Sequence, residues 1–171
     1  MPSKFKIDDI IEINNHYYRI LELLGRGKGG YSFLAINSKD EKVVLKEIHH
    51  EPCDYYQFGN KIESEINDYN RLKEANICVP LMIEFDKKQE IIIKEYIDGK
   101  TILQMKENGE DISEFIPLVE DIANLAKSKG LNIDYYPTNF IPKNGKLYYI
   151  DYECNAYMEE WSFENWGNKY W

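Results

Sequence analysis

The cluster Gly25-Arg26-Gly27-Lys28-Gly29-Gly30 is hemmed in by strand-like sequence on both sides, and this limits the folds open to the chain. A dinucleotide-binding crossover needs a strand before such a cluster and a helix after it. Here Tyr17 to Leu24 before it and Tyr31 to Ile36 after it are rich in β-branched, aromatic and Leu residues. Two segments of the same kind, 10–13 and 42–48, extend them into an antiparallel meander. Asn14-Asn15 and Asn37-Ser38-Lys39-Asp40 supply its turns. Inside a hairpin, glycines let backbone N–H groups close over phosphates without a Cβ in the way. An ordinary Gly-rich hairpin has the same signature, so the cluster acquires meaning only from the residues downstream of it.

After the meander, Ile62, Ile66, Tyr69 and Leu72 recur at helical steps, and a helix is expected over about 57–75. Beyond Pro80, 82–86 and 90–96 read as another strand pair. The expectation is a five-stranded antiparallel sheet with one helix inserted after the third strand. Asp98-Gly99 breaks the chain. A helix over about 113–128 comes next, with Ser113 as its N-cap, Pro117 in its first turn and Gly130 just past its end. Asn144-Gly145 turns a short hairpin formed by 140–141 and 147–150. The fold class is α+β in two lobes, residues 1–97 and a small helical part at 98–171.

Chemistry-bearing residues fall in sequence order along this frame. Lys46 sits in an apolar strand, where an ammonium is costly unless paired. It reads as a phosphate contact held by a carboxylate, for which Glu65 on the expected helix is preferred and Glu63 is the competitor. Glu95-Tyr96-Ile97-Asp98-Gly99 reads as a hinge offering backbone groups near Glu95 and Ile97 to an adenine. Asp134-Tyr135-Tyr136-Pro137-Thr138-Asn139 places an acceptor for a hydroxyl proton and a metal-binding amide on one loop. Asp151 ends an apolar strand and is suited to Mg²⁺.

The net charge of −9 argues against nucleic acid as the main partner. No long apolar run suggests a membrane span, and the first residues lack a signal-peptide core, so a cytoplasmic protein is expected. Cys53, Cys78 and Cys154 fit no zinc or disulfide framework, and His16, His49 and His50 read as surface residues.

The ordered set of Gly25, Gly27 and Gly30, Lys46, Glu65, the 95–99 segment, Asp134, Asn139 and Asp151 resembles the protein-kinase-like superfamily over about residues 10–153. Its compact form is similar to the atypical Rio-type kinases and their bacterial relatives. Aminoglycoside and choline phosphotransferases share the loop chemistry. The resemblance implies ATP and Mg²⁺ as cofactors and transfer of the γ-phosphate to a hydroxyl of a protein or small molecule. Asp134 would be the base, Lys46 and Glu65 the phosphate-positioning pair, and Asn139 and Asp151 the metal ligands.

The chain departs from the family pattern at several points. Ile133 stands where arginine is common, so control through a phosphorylated activation loop is not expected. Tyr136 replaces a usual lysine, Glu153 a usual glycine and Ser32 a usual valine. The chain has no Ala-Pro-Glu motif after Asp151. A nucleotide-binding, pseudokinase-like regulatory module is therefore the alternative to an active kinase. The aromatic end, with Trp161, Phe163, Trp166, Tyr170 and Trp171, is expected to be ordered and to cover the second lobe near the 113–128 helix. Two roles stay open for it: a substitute core for missing helices, or a surface for a homodimer or protein partner.

Overall fold

The computed structural model describes residues 3–27, 29–48 and 60–171. Lys28, His49, His50, Cys53 and the expected helical residues 57–59 lie outside them. Among the described residues no helix is long and apolar enough to cross a membrane. The chain divides into two compact units. The first holds residues up to Ser64 together with Leu81–Tyr96, and the second holds Glu65–Pro80 and Ile97–Trp171.

The first unit is an antiparallel sheet of six strands, not five. They are β1 (Ile10–Ile13), β2 (His16–Gly27), β3 (Gly30–Ile36), β4 (Lys42–Ile48), β5 (Met82–Asp86) and β6 (Ile91–Glu95), in the order β1-β2-β3-β4-β6-β5. The inserted helix, α1 (Asn60–Glu74), therefore comes after the fourth strand. The extra strand is β1, which folds back on β2 through Asn14 and Asn15, both at positive φ. This is the twisted two-residue turn that asparagine tolerates.

The sheet curls until its two edges meet. Gln89 Nε2 donates to the Glu12 carbonyl at 2.8 Å, and Asn14 Nδ2 donates to that of Phe85 at 3.2 Å. Glu84 on β5 accepts from the Tyr18 hydroxyl and from Asn14 Nδ2, and its carboxylate lies 3.0 Å from His16 Nδ1. Burial first, then the Glu84 carboxylate, raise the Tyr18 phenol above its ordinary range, which keeps it a donor. Edges joined this way do not offer an open ladder to another chain. Inside the curl lie Ile11, Ile13, Tyr18, Ile20, Phe33, Ala35, Leu45, Ile91 and Ile93.

The second unit carries α2 (Ile102–Glu107), α3 (Ile116–Ser128) and two small strand pairs. β7 (Leu131–Ile133) pairs with β10 (Cys154–Ala156), and β8 (Phe140–Lys143) pairs with β9 (Lys146–Tyr149) across Asn144-Gly145. Both turn residues have positive φ. Helix α2 has a capping box: Thr101 Oγ1 accepts from Gln104 N–H while Gln104 Oε1 accepts from Thr101 N–H. Ser113 does not cap α3. It opens a 3-10 turn, Ser113–Phe115, and its N–H donates to Asp111 Oδ1 at 2.9 Å. Pro117 lies in the first turn of α3, and Gly130 stands just past its C-cap at φ 69°, as expected.

Candidate functional site

Strand register fixes the candidate residues of the first unit. Across β2, β3, β4 and β6 run the partners Gly25, Ser32, Lys46 and Ile92 in one transverse row. Val43 and Leu45 point into the closed core, so by alternation Lys46 lies on the other face of β4. It is nonetheless only 7% exposed. Lys94, equally buried, shares that face beside Val44, and no motif in the sequence marks it. Glu63, the competing carboxylate, is on the surface with Lys87 Nζ at 3.2 Å. Glu65, the preferred carboxylate, lies on α1 where that helix passes into the second unit, and is half-buried with Oε2 withdrawn from solvent.

The glycine cluster is a hairpin, with Gly27 opposite Gly30. Gly30 has φ 144°, a conformation side chains rarely adopt. Gly25 and Gly27 need no such freedom. A Cβ at either would meet nothing within 4 Å among the described residues, and neither has positive φ. Neither packing nor backbone conformation demands glycine there. Of the hinge segment, Glu95 ends β6, with its N–H donating to the Leu81 carbonyl at 2.8 Å and its Oε1 accepting from Leu81 N–H at 3.0 Å. Ile97 is buried, and the division into units falls between Tyr96 and Ile97.

In the second unit, the Asp134–Asn139 loop is bonded internally and to the segment just before Asp151. Asn139 Nδ2 donates to the Asp134 carbonyl at 3.3 Å, and Ile150 N–H donates to the Asn139 carbonyl at 2.9 Å, setting Asp151 beside that loop. Asp134 Oδ1 accepts from Tyr136 N–H at 3.1 Å. One hydrogen of the Asn139 amide nitrogen is thereby engaged within the loop.

Tyr149 joins these pieces. Its hydroxyl accepts from Asp134 N–H at 3.2 Å and donates to the Glu153 carbonyl at 2.7 Å, so one fully buried phenol spans both the Asp134 and Asp151 segments. Burial, then the charge of Asp151, holds it well above the ordinary phenol range, so it remains protonated and able to donate. Sequence reasoning took Tyr149 for strand core, and nothing local marks it as a strut.

The aromatic segment is ordered and packs mainly on this loop. Phe163 meets the Tyr135 ring edge-on at 5.5 Å, Tyr170 meets Tyr136 at 5.2 Å and Trp171 meets Phe140 at 5.2 Å. It touches α3 at one edge, where Lys127 lies over the Tyr157 ring. It thus covers residues 135–140 and lies beside α3, where Ala123, Asn124 and Lys127 line a cavity with Ser162 and Phe163. Trp161 stays 50% exposed.

No protein-family model matches the chain. It is 28% identical over 130 residues to a probable serine/threonine-protein kinase of Clostridium acetobutylicum, a match covering 75% of this chain and 18% of that one. It is 31% identical over 85 residues to the KEOPS complex subunit Bud32 of Pyrococcus abyssi, covering 48% of this chain and 39% of that one. The chain thus spans well under half the length of each of these relatives. Among solved structures, the BubR1 kinase domain superposes with a TM-score of 0.58 at 16% identity, over 89% of this chain and 51% of that one. The chain resembles the protein-kinase-like superfamily in sequence and in fold.

Proposed function

We propose that the protein is an ATP- and Mg²⁺-dependent phosphotransferase that moves the γ-phosphate to a hydroxyl of a protein or small molecule. The observation that carries this reading is the bonding of the Asp134–Asn139 loop to the segment bearing Asp151. On this reading the loop would carry the carboxylate base and one oxygen donor, Asn139, and the bonded segment would carry the second donor, Asp151. The resemblance to kinases in sequence and fold supports the same reading.

The residues suit the cofactor. Among the described residues, no group of three or more His, Cys, Asp or Glu gathers as a metal cluster. A Mg²⁺ in a kinase site needs only one or two protein ligands, with water and phosphate oxygens completing its shell. Asn139 Oδ1 and the Asp151 carboxylate would be those ligands. The open space over Gly25 and Gly27 suits close approach of phosphate to backbone N–H groups. Lys46 would supply the ammonium that holds phosphate oxygens, and Glu65 is the remaining acidic member of the set. Near Glu95 and Ile97, backbone groups would take the adenine. When bound, Mg-ATP supplies the transferable phosphoryl group. Asp134 then has a defined task. With Oδ1 held by Tyr136 N–H, its other oxygen accepts the proton of the acceptor hydroxyl.

A second reading, a nucleotide-binding module without turnover, draws on Tyr136. Where a lysine would assist the transferring phosphate, this chain has an aromatic ring set edge-on to Tyr170. Turnover of Mg-ATP by the intact protein and by Asp134→Ala separates the two. The kinase reading expects turnover to fall by about 10²–10⁴-fold with nucleotide binding retained. An intact protein that binds Mg-ATP without turning it over would favour the module.

A further inference from the structure

We infer that the aromatic segment 157–171 positions the catalytic base, with Trp171 as the positioning residue acting through the Tyr135–Tyr136 peptide. The inference rests on Asp134 being that base. The Trp171 indole N–H donates to the Tyr135 carbonyl at 2.7 Å. The other side of the same peptide unit, Tyr136 N–H, donates to Asp134 Oδ1 at 3.1 Å. A peptide is planar and its C=O and N–H point in opposite directions, so holding the oxygen fixes where the N–H points. Trp171 therefore sets the hydrogen bond that orients the Asp134 carboxylate.

The rest of the segment supports that geometry from both sides of Asp134. Asn132 Nδ2 donates to the Met158 carbonyl at 2.8 Å, tying the start of the segment to the residue two before the base. Gly167 lies against Tyr135 so closely that a Cβ would stand 2.6 Å from the Tyr135 Cβ and 2.9 Å from Phe163 Cδ2. Tyr135 itself is 1% exposed. Its ring is pinned by the segment while its carbonyl is held by the segment's last residue.

Trp171→Phe keeps an aromatic ring against Phe140 and removes the N–H donor together with part of the ring. Two measurements are made on the full chain: amide hydrogen exchange, and phosphoryl transfer from Mg-ATP. Exchange at Tyr136 and Asn139 should accelerate roughly tenfold while amides of α3 are unchanged. The kcat should fall roughly tenfold with KM for ATP unchanged. Trp161→Phe, at a half-exposed ring of the same segment, should change neither. Gly167→Ala should reproduce the loop effect by pushing Tyr135. Unchanged exchange at 136 and 139 in Trp171→Phe overturns the inference. So does acceleration spread equally over α3, or a loosened loop with unaltered kcat in an active protein. If the intact protein transfers no phosphate, the proposed function fails, and the exchange data alone decide whether Trp171 orders the loop.

Discussion

The two units hold their candidate residues by different means. In the first, Gly25, Ser32 and Lys46 are neighbours because backbone ladders put them in one row. The ladder would persist if any one of those side chains were changed. In the second, two short ladders, β7–β10 and β8–β9, bring the Asp134, Asn139 and Asp151 segments together, and single side-chain bonds of Tyr149, Asn139 and Trp171 complete the join. Ladders of only three and four residue pairs leave more of the placement to those side chains. Chemistry and stability are therefore separable on the sheet and coupled on the loops.

The largest expected effect tests separability. Lys46→Met replaces a buried ammonium with an apolar chain of similar length. Turnover of Mg-ATP should fall by about 10²-fold or more, the scale of losing an electrostatic contact in a preorganised site. The urea midpoint should change far less than turnover, because the ladders that hold β4 do not depend on that side chain. A fall in both would break the contrast, since Lys46 would then be needed by the fold.

Coupling is tested next by Tyr149→Phe. The change deletes one oxygen and leaves the partly buried Glu153 carbonyl and Asp134 N–H without those bonds. Stability should drop by about 1–3 kcal/mol in urea unfolding, with turnover falling in parallel. Loss of turnover at full stability would show that the strut serves chemistry alone.

Cys154 sharpens the picture of the second unit's interior. Burial first, then Asp68, push its thiol up to about 12. Since the thiol loses its proton only above that value, the thiolate fraction at pH 8 is about one part in 10⁴. Iodoacetamide at that pH should modify Cys154 only after denaturation. Rapid labelling of the folded protein would mean that the β7–β10 pair opens.

The smallest effect on the fold is expected at Gly27. An added methyl meets open space, so Gly27→Ala should alter stability by no more than about 0.5 kcal/mol. Binding of Mg-ATP should weaken nonetheless, by about tenfold or about 1.4 kcal/mol. Unchanged binding by calorimetry would return the cluster to an ordinary hairpin.

Much of the first unit was legible because strand alternation and turn residues are local. Asn14-Asn15, the hairpin around the glycines and the β4 setting of Lys46 all came from short windows. The miscount of strands came from fitting six segments to a five-strand scheme. In the second unit, Thr101 and Gln104 carried a readable capping box that was passed over. The three-residue strands β7 and β10 were not readable, because so short a run has no period. Tyr149 and Trp171 were opaque for a different reason: any buried tyrosine or tryptophan has the same local pattern, whichever partner its polar atom finds.

By itself, then, the sequence determined which residue types were available for phosphate, metal and proton chemistry, and in what order. It also determined the antiparallel frame that presents the glycines and Lys46, since both arise from backbone preferences acting over a few residues. Only the tertiary structure decided that β1 and β5 close the sheet, that Tyr149 spans the segments of Asp134 and Asp151, and that the aromatic segment grips Tyr135. Those contacts join residues from 15 to more than 70 positions apart. They form only when the packed chain brings a buried donor to an acceptor that has lost its water, a pairing no local stretch of sequence encodes.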